Sequence, residues 1–220
     1  MQNKIPSQMH PSILTHLSSS LGRRDEGPNI ELAARLVANN DQEAIKCMVD
    51  NLWTRTYQNN CIKVIYEIGE IKPSLIVAYT NEFINLLDSP NNRMVWGAMS
   101  ALNRLTLLNP HPIYLSIVKL CQTADKGTVI TRDQTVAILT KLCTFEAYKD
   151  AAFSLLIEQM LNCAANQLPM YAENALPIVA LENKEVFCSA LMSRLGDMDK
   201  PTKIKRVENV LKRLNKLPQK

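Results

Sequence analysis

The sequence predicts an all-α fold in which paired helices stack along the chain and recur about every 37 residues. Three observations carry that expectation. Apolar residues fall at helical spacing in one segment after another, as in Ile45, Met48, Val49 and Leu52. The breaks between segments are short and rich in Pro, Asn, Asp and Gly, which suits antiparallel neighbours. The breaks also keep a period, because Pro73, Pro110, Ala147 and Lys184 are each 37 residues apart, with one apolar helix stopping and another starting at each. Composition agrees: six glycines and 5% aromatic residues are few for a β-sandwich or a glycine-loop nucleotide-binding enzyme.

Taken in order, residues 1–10 are polar with an early proline, and a loose, flexible start is expected there. Pro11 opens a short helix with Ile13, Leu14, Leu17 and Leu21 at helical spacing, and Gly22–Pro28 reads as a turn. The next helix places Ile30, Leu32, Ala33 and Leu36 inward and ends at Asn39-Asn40. Asp41 is the expected N-cap of a helix over residues 42–53, and Trp53, beside its apolar stripe, is expected in the core. A partner helix follows over 57–70, then helices over 74–87, 91–108, 112–122, 129–142, 148–164, 168–182, 184–195 and 201–214. Pro201 sits in the first turn of the last one, where a missing N–H costs nothing.

With segments such as DQEAIKCMVDNL, NNCIKVIYEIGEI and SPNNRMVWGAMSALNRL, the chain resembles HEAT/armadillo-like α-solenoid repeat proteins, including prokaryotic HEAT-repeat proteins of unassigned function. The resemblance implies a right-handed α-α superhelix of HEAT-like helical repeats. Residues 11–215 would then form a single solenoid domain, with 11–40 as N-terminal cap, 41–198 as helix-pair repeats and 199–215 as a basic capping helix. It also implies that the second helix of each pair lines a concave surface. One pair cannot bury its apolar face alone, so stacked pairs share a continuous core and the ends need one-sided caps.

The helix over 91–108 is the place to look for a binding surface. Val95, Ala98, Met99, Leu102 and Leu105 form its apolar side, while Arg93, Trp96, Gly97, Ser100, Asn103 and Arg104 share the other. A tryptophan on a polar face is either a contact anchor or a ring folded over its neighbours. Gly97, costing roughly 1 kcal/mol against Ala in a helix, is there for close packing or to leave space beside the indole. Thirty-seven residues earlier lie Asn59, Lys63, Tyr66 and Glu67, and thirty-seven later lie Asp133, Ala137, Thr140 and Lys141. A further step reaches Met170 and Asn174, where Pro177 blurs the register. The candidate partner-binding residues are therefore Lys63, Tyr66, Arg93, Trp96, Asn103, Arg104, Asp133, Lys141, Tyr171 and Asn174. Tyr66 and Tyr171 equally suit the edge of the core with their hydroxyls in water.

Enzyme signatures are missing: the chain holds no P-loop, GxGxxG, GxSxG or HExxH. Its six cysteines stand 14 or more residues apart without a CxxC pair or neighbouring histidines, so they read as small apolar residues rather than ligands. No catalytic residue, metal or cofactor is expected. Net charge is +4, but residues 199–220 alone carry +6, so the basicity belongs to the tail. With no leader and no long apolar run, the expectation is a cytoplasmic protein without a membrane partner. The leading functional expectation is a non-enzymatic scaffold that binds a protein or peptide on the concave surface. The alternative is a nucleic-acid-binding protein similar in architecture to the HEAT-like alkylpurine DNA glycosylases, with Trp96, Asp133, Arg93, Arg104 and Arg132 around a nucleotide.

Overall fold

Local chemistry sets where the helices begin and end, and the computed structural model, which describes residues 11–216, shows how. Asp41 caps α3 (Gln42–Asp50) by accepting the Ala44 amide at 3.0 Å. Asn40, in the left-handed region at φ 51°, closes the preceding α2 (Gly27–Asn39), a conformation that asparagine tolerates. Asn91 caps α6 (Asn92–Leu105) through the Arg93 amide. Pro110 and Pro201 occupy the first turns of α7 (Pro110–Leu115) and α13 (Pro201–Asn215). Between these lie α1 (Pro11–Leu14), α4 (Gln58–Ile71), α5 (Thr80–Asn85), α8 (Ile117–Lys126), α9 (Val129–Leu142), α10 (Lys149–Asn162), α11 (Leu168–Ala175) and α12 (Lys184–Ser193). The expected loose segment 1–10 lies outside the described residues.

The helix bodies follow the apolar pattern, but several are shorter than their stripes. The segment expected as one helix over 74–87 is a chain of 3₁₀ turns around the short α5. Ile76, Val77 and Thr80 are β-branched, and the Thr80 hydroxyl donates to the Val77 carbonyl at 2.7 Å, offering that backbone an alternative to the helix ladder. The expected helix over 112–122 breaks at Ser116, and that over 168–182 stops at Ala175 before a 3₁₀ turn containing Pro177. The first helix is a single turn, and Leu21 lies beyond it, exposed beside Gly22 at φ 69°. Ile30, expected inward, is exposed on α2. Trp53 is the clearest correction: α3 ends at Asp50, Leu52 takes the buried place, and the indole is 62% exposed.

The chain divides into two compact units, the first ending at Thr123 and the second starting at Ala124. In the first, α2, α4 and α6 pack side by side, with α3 against α4 and α5 against both α6 and α7. In the second, α9, α11 and α13 form the corresponding row, backed by α10 and α12. The row helices begin at Gly27, Gln58, Asn92, Val129, Leu168 and Pro201, so the intervals are 31, 34, 37, 39 and 33 residues. Each unit therefore has two helical layers around a core of aliphatic side chains. Ile62, Ile65, Ile68, Met99 and Leu102 lie in it in the first unit, and Leu139, Leu156, Phe187 and Val207 in the second.

Candidate functional site: the polar stripe of the second helices

Burial leaves one open stripe on the body of α6. Arg93, Trp96 and Ser100 are half-buried and Arg104 is exposed, at spacings of 3, 4 and 4 residues, while the positions between them are buried. Gly97 explains how close α6 comes to α4. A Cβ built there would meet Ile62 Cγ1 at 2.2 Å, so the glycine lets the two helices touch and does not clear space for a ligand.

The arginines on this stripe are already engaged. Arg93 reaches across the start of α4, donating to the Asn59 carbonyl at 3.2 Å and pairing with Glu26 ahead of α2. It thus joins the N-terminal ends of three successive row helices. Arg104 pairs with Glu70 of α4, and both side chains are well exposed. Such pairs are worth about 0–1 kcal/mol each, so a partner carboxylate could replace either one at small cost.

On α4 the candidate surface is partly closed. Lys63 is 9% exposed, pairs with Glu67 at 2.6 Å and lies 4.7 Å from the Tyr66 ring centroid. Burial works to strip its proton, but the Glu67 carboxylate and the Tyr66 side chain outweigh that, and its pKa sits above the ordinary lysine value. Tyr66 stays half-open. Asn103, expected on the polar side of α6, is buried at 6% exposure.

In the second unit, Tyr171 of α11 is 1% exposed, and its hydroxyl donates to Asp133 of α9 at 2.6 Å, 38 residues away. Burial first, and the Asp133 carboxylate second, raise the phenol well above its usual range. Tyr171 and Asp133 therefore form an interhelical tie instead of a pair of surface groups. Lys141 is half-buried on α9 and Asn174 is exposed on α11, next to the Glu173–Arg206 pair that links α11 to α13.

Sequence reading missed a cleft of about 640 Å³ in this unit, lined by Cys143, Glu146, Lys149, Phe153, Ile178 and Glu182 among others. Lys149 bridges Glu146 at 3.1 Å and Glu182 at 3.3 Å, and with Asp150 also on the lining the cleft keeps an excess of carboxylates over its single lysine. The signal was present in the register, since Glu146 and Glu182 stand nearly one repeat apart.

Burial pushes the Cys61 and Cys143 thiols up to about 12, which leaves them protonated and weakly nucleophilic near neutrality. No group of three or more His, Cys, Asp or Glu side chains among the described residues could hold a metal ion. No helix among them is long and apolar enough to cross a membrane.

No protein-family model matches the chain, and no curated protein matches it. Solved structures do. The chain is similar to a computationally designed armadillo repeat protein for modular peptide recognition, with TM-score 0.59 and 14% identity over 92% of this chain and 98% of that one. It is also similar to an engineered protein from the Northeast Structural Genomics Consortium, with TM-score 0.56 and 15% identity over 93% and 95% of the two chains. At these identities the likeness concerns backbone arrangement, and with the two-layer rows and the interhelical ties it shows the fold. The chain has the armadillo/HEAT-like helical-repeat fold, an α-solenoid.

Proposed function

We propose that this protein is a non-enzymatic scaffold whose second-helix face binds a peptide or protein partner, centred on Trp96. The observation that carries the reading is the open stripe of α6, where an indole stays half-uncovered in mid-helix between two arginines. Tryptophan and arginine are the residues that most often dominate binding energy at interfaces. The fold supports the reading, since its structural neighbour was designed for modular peptide recognition. In this proposal Trp96 and Tyr66 supply apolar contact, Arg104 exchanges Glu70 for an acidic group of the partner, and Arg93 frames the site while holding Glu26. Lys63 and Asn103 support the Trp96 site from beneath. Taken by itself, the second unit leaves Lys141 half-open and Asn174 exposed on its own row helices.

The test is affinity capture from the native cell with wild-type protein and a Trp96→Ala/Arg104→Ala variant. The variant should keep its melting temperature and lose the captured partner. A large fall in melting temperature would place Trp96 in the core and remove it as an anchor. Retention of nucleic acid at low salt, lost as salt rises, would replace the peptide reading with phosphate recognition.

A further inference from the structure

The turns that lead into α2 and α4 leave two large apolar side chains uncovered at one edge of the first unit. Trp53 is 62% exposed and Leu21 is 53% exposed. The turn before α2 touches the first turn of α4. Asn60, in the first turn of α4, donates to the Ser19 hydroxyl at 2.9 Å and accepts from the Asn29 amide group at 2.9 Å. Asn29 in turn accepts the Ser18 backbone N–H at 3.0 Å.

Charge at this edge is one-sided. Asp25 is held by Arg23 and by the Gly27 amide, and Glu26 is held by Arg93 and Asn29. Arg24 and Arg55 are exposed and have no ion pair among the described residues. The N-termini of α2 and α4 point here too, and no side chain caps the leading amides of α4. Their helix dipoles add to the positive potential of the two arginines.

We propose that this edge docks an acidic peptide segment with a bulky apolar side chain. Trp53 and Leu21 cover the apolar group, while Arg24 and Arg55 pair with flanking carboxylates. The edge meets the Trp96 stripe only through Arg93, which holds Glu26, and none of Trp53, Leu21, Arg24 and Arg55 belongs to that stripe. Two apolar side chains and two cations make a small anchor for a bilayer, where even one acyl chain binds only marginally, but they suit the few-residue cluster that dominates a peptide site.

The experiment uses the full chain carrying Trp96→Phe, so that all tryptophan emission comes from Trp53. The probe is the acetylated, amidated peptide Asp-Glu-Leu-Phe-Glu-Asp, with a control in which lysine replaces each acidic residue. The acidic peptide should shift Trp53 emission to shorter wavelength and saturate. Arg24→Glu/Arg55→Glu should weaken it at least about tenfold, as expected for lost and reversed charge pairs. Trp53→Ala, read by calorimetry, should abolish binding at an unchanged melting temperature. The proposal is overturned if no saturable shift occurs at millimolar peptide, or if the lysine peptide or the arginine variant binds as well. A shift produced by phosphatidylserine vesicles and not by the peptide would also overturn it, in favour of a lipid surface. Binding retained in the Trp96→Phe background separates this edge from the function proposed above.

Discussion

Gly97 shows how much one missing methyl group can matter when two helices touch. Alanine is the better helix former by about 1 kcal/mol, yet its Cβ would stand 2.2 Å from Ile62 Cγ1. The struck atom is near the root of a buried side chain in a close-packed layer, so the helices themselves must part. Gly97→Ala should therefore destabilise the protein by roughly 1–3 kcal/mol, the usual cost of overpacking. In an Ile62→Ala background the same substitution should cost less, because the obstructing atoms are gone. Urea midpoints of the four proteins in this cycle measure the coupling, and an additive outcome would show that Ile62 is not what the glycine accommodates. Trp53 and Trp96 make the complementary point. The sequence puts Trp53 beside an apolar stripe and Trp96 on a polar face, yet Trp53 stands open in a turn and Trp96 is half-covered on its helix.

At the scale of the element, helices in this fold are held as much by their neighbours' side chains as by their own caps. Arg194, just past α12, donates to the carbonyls of Met160, Leu161 and Cys163 at the C-terminal end of α10. Those carbonyls have no partner within their own helix, and the guanidinium also complements the negative end of the helix dipole. Arg194→Ala should cost about 1–3 kcal/mol, since part-buried acceptors lose a charged donor. It should also increase amide exchange selectively in the last turn of α10 and at the end of α12. Arg194→Lys should recover only part of this, because an ammonium group cannot spread over three carbonyls as a planar fork does. Uniform exchange along α10 in the alanine variant would mean that the arginine stabilises the unit generally and not that helix end. The same style of tie recurs one repeat apart in Lys203 on the Asn166 carbonyl and Arg206 on Glu173.

Across the whole molecule, buried acids that stay protonated make stability depend on alkaline pH. The thiols of Cys61 and Cys143 are pushed up from 9.0 to about 12 by burial, and the Tyr171 phenol is raised above 10.0 by burial and by Asp133. In each case the unfolded chain releases its proton at a lower pH than the folded one. Their contribution is therefore complete below about pH 9 and is lost as pH rises toward the folded values. Urea midpoints should hold level from pH 7 to 8.5 and fall steadily from pH 9 to 11. Cys61→Ala/Cys143→Ala should be less stable at pH 7 yet show a shallower fall. An equal slope in that variant would assign the alkaline loss to other groups.

Much of this structure is legible in the chain because its signals are local. Apolar spacing of 3.6, Asp41 and Asn91 as caps, prolines in first turns and breaks at a steady interval each act within a turn or two, and together they specify helices in a repeating stack. The stripe Arg93, Trp96, Ser100 and Arg104 was readable for the same reason. What the tertiary structure decided involves partners 31 to 67 residues away. It closed Lys63 and Asn103, joined Tyr171 to Asp133, committed Arg93 to Glu26 and turned Trp53 outward. Periodicity specifies the direction in which a side chain leaves its helix, whereas packing of the neighbouring helix settles whether that direction meets water.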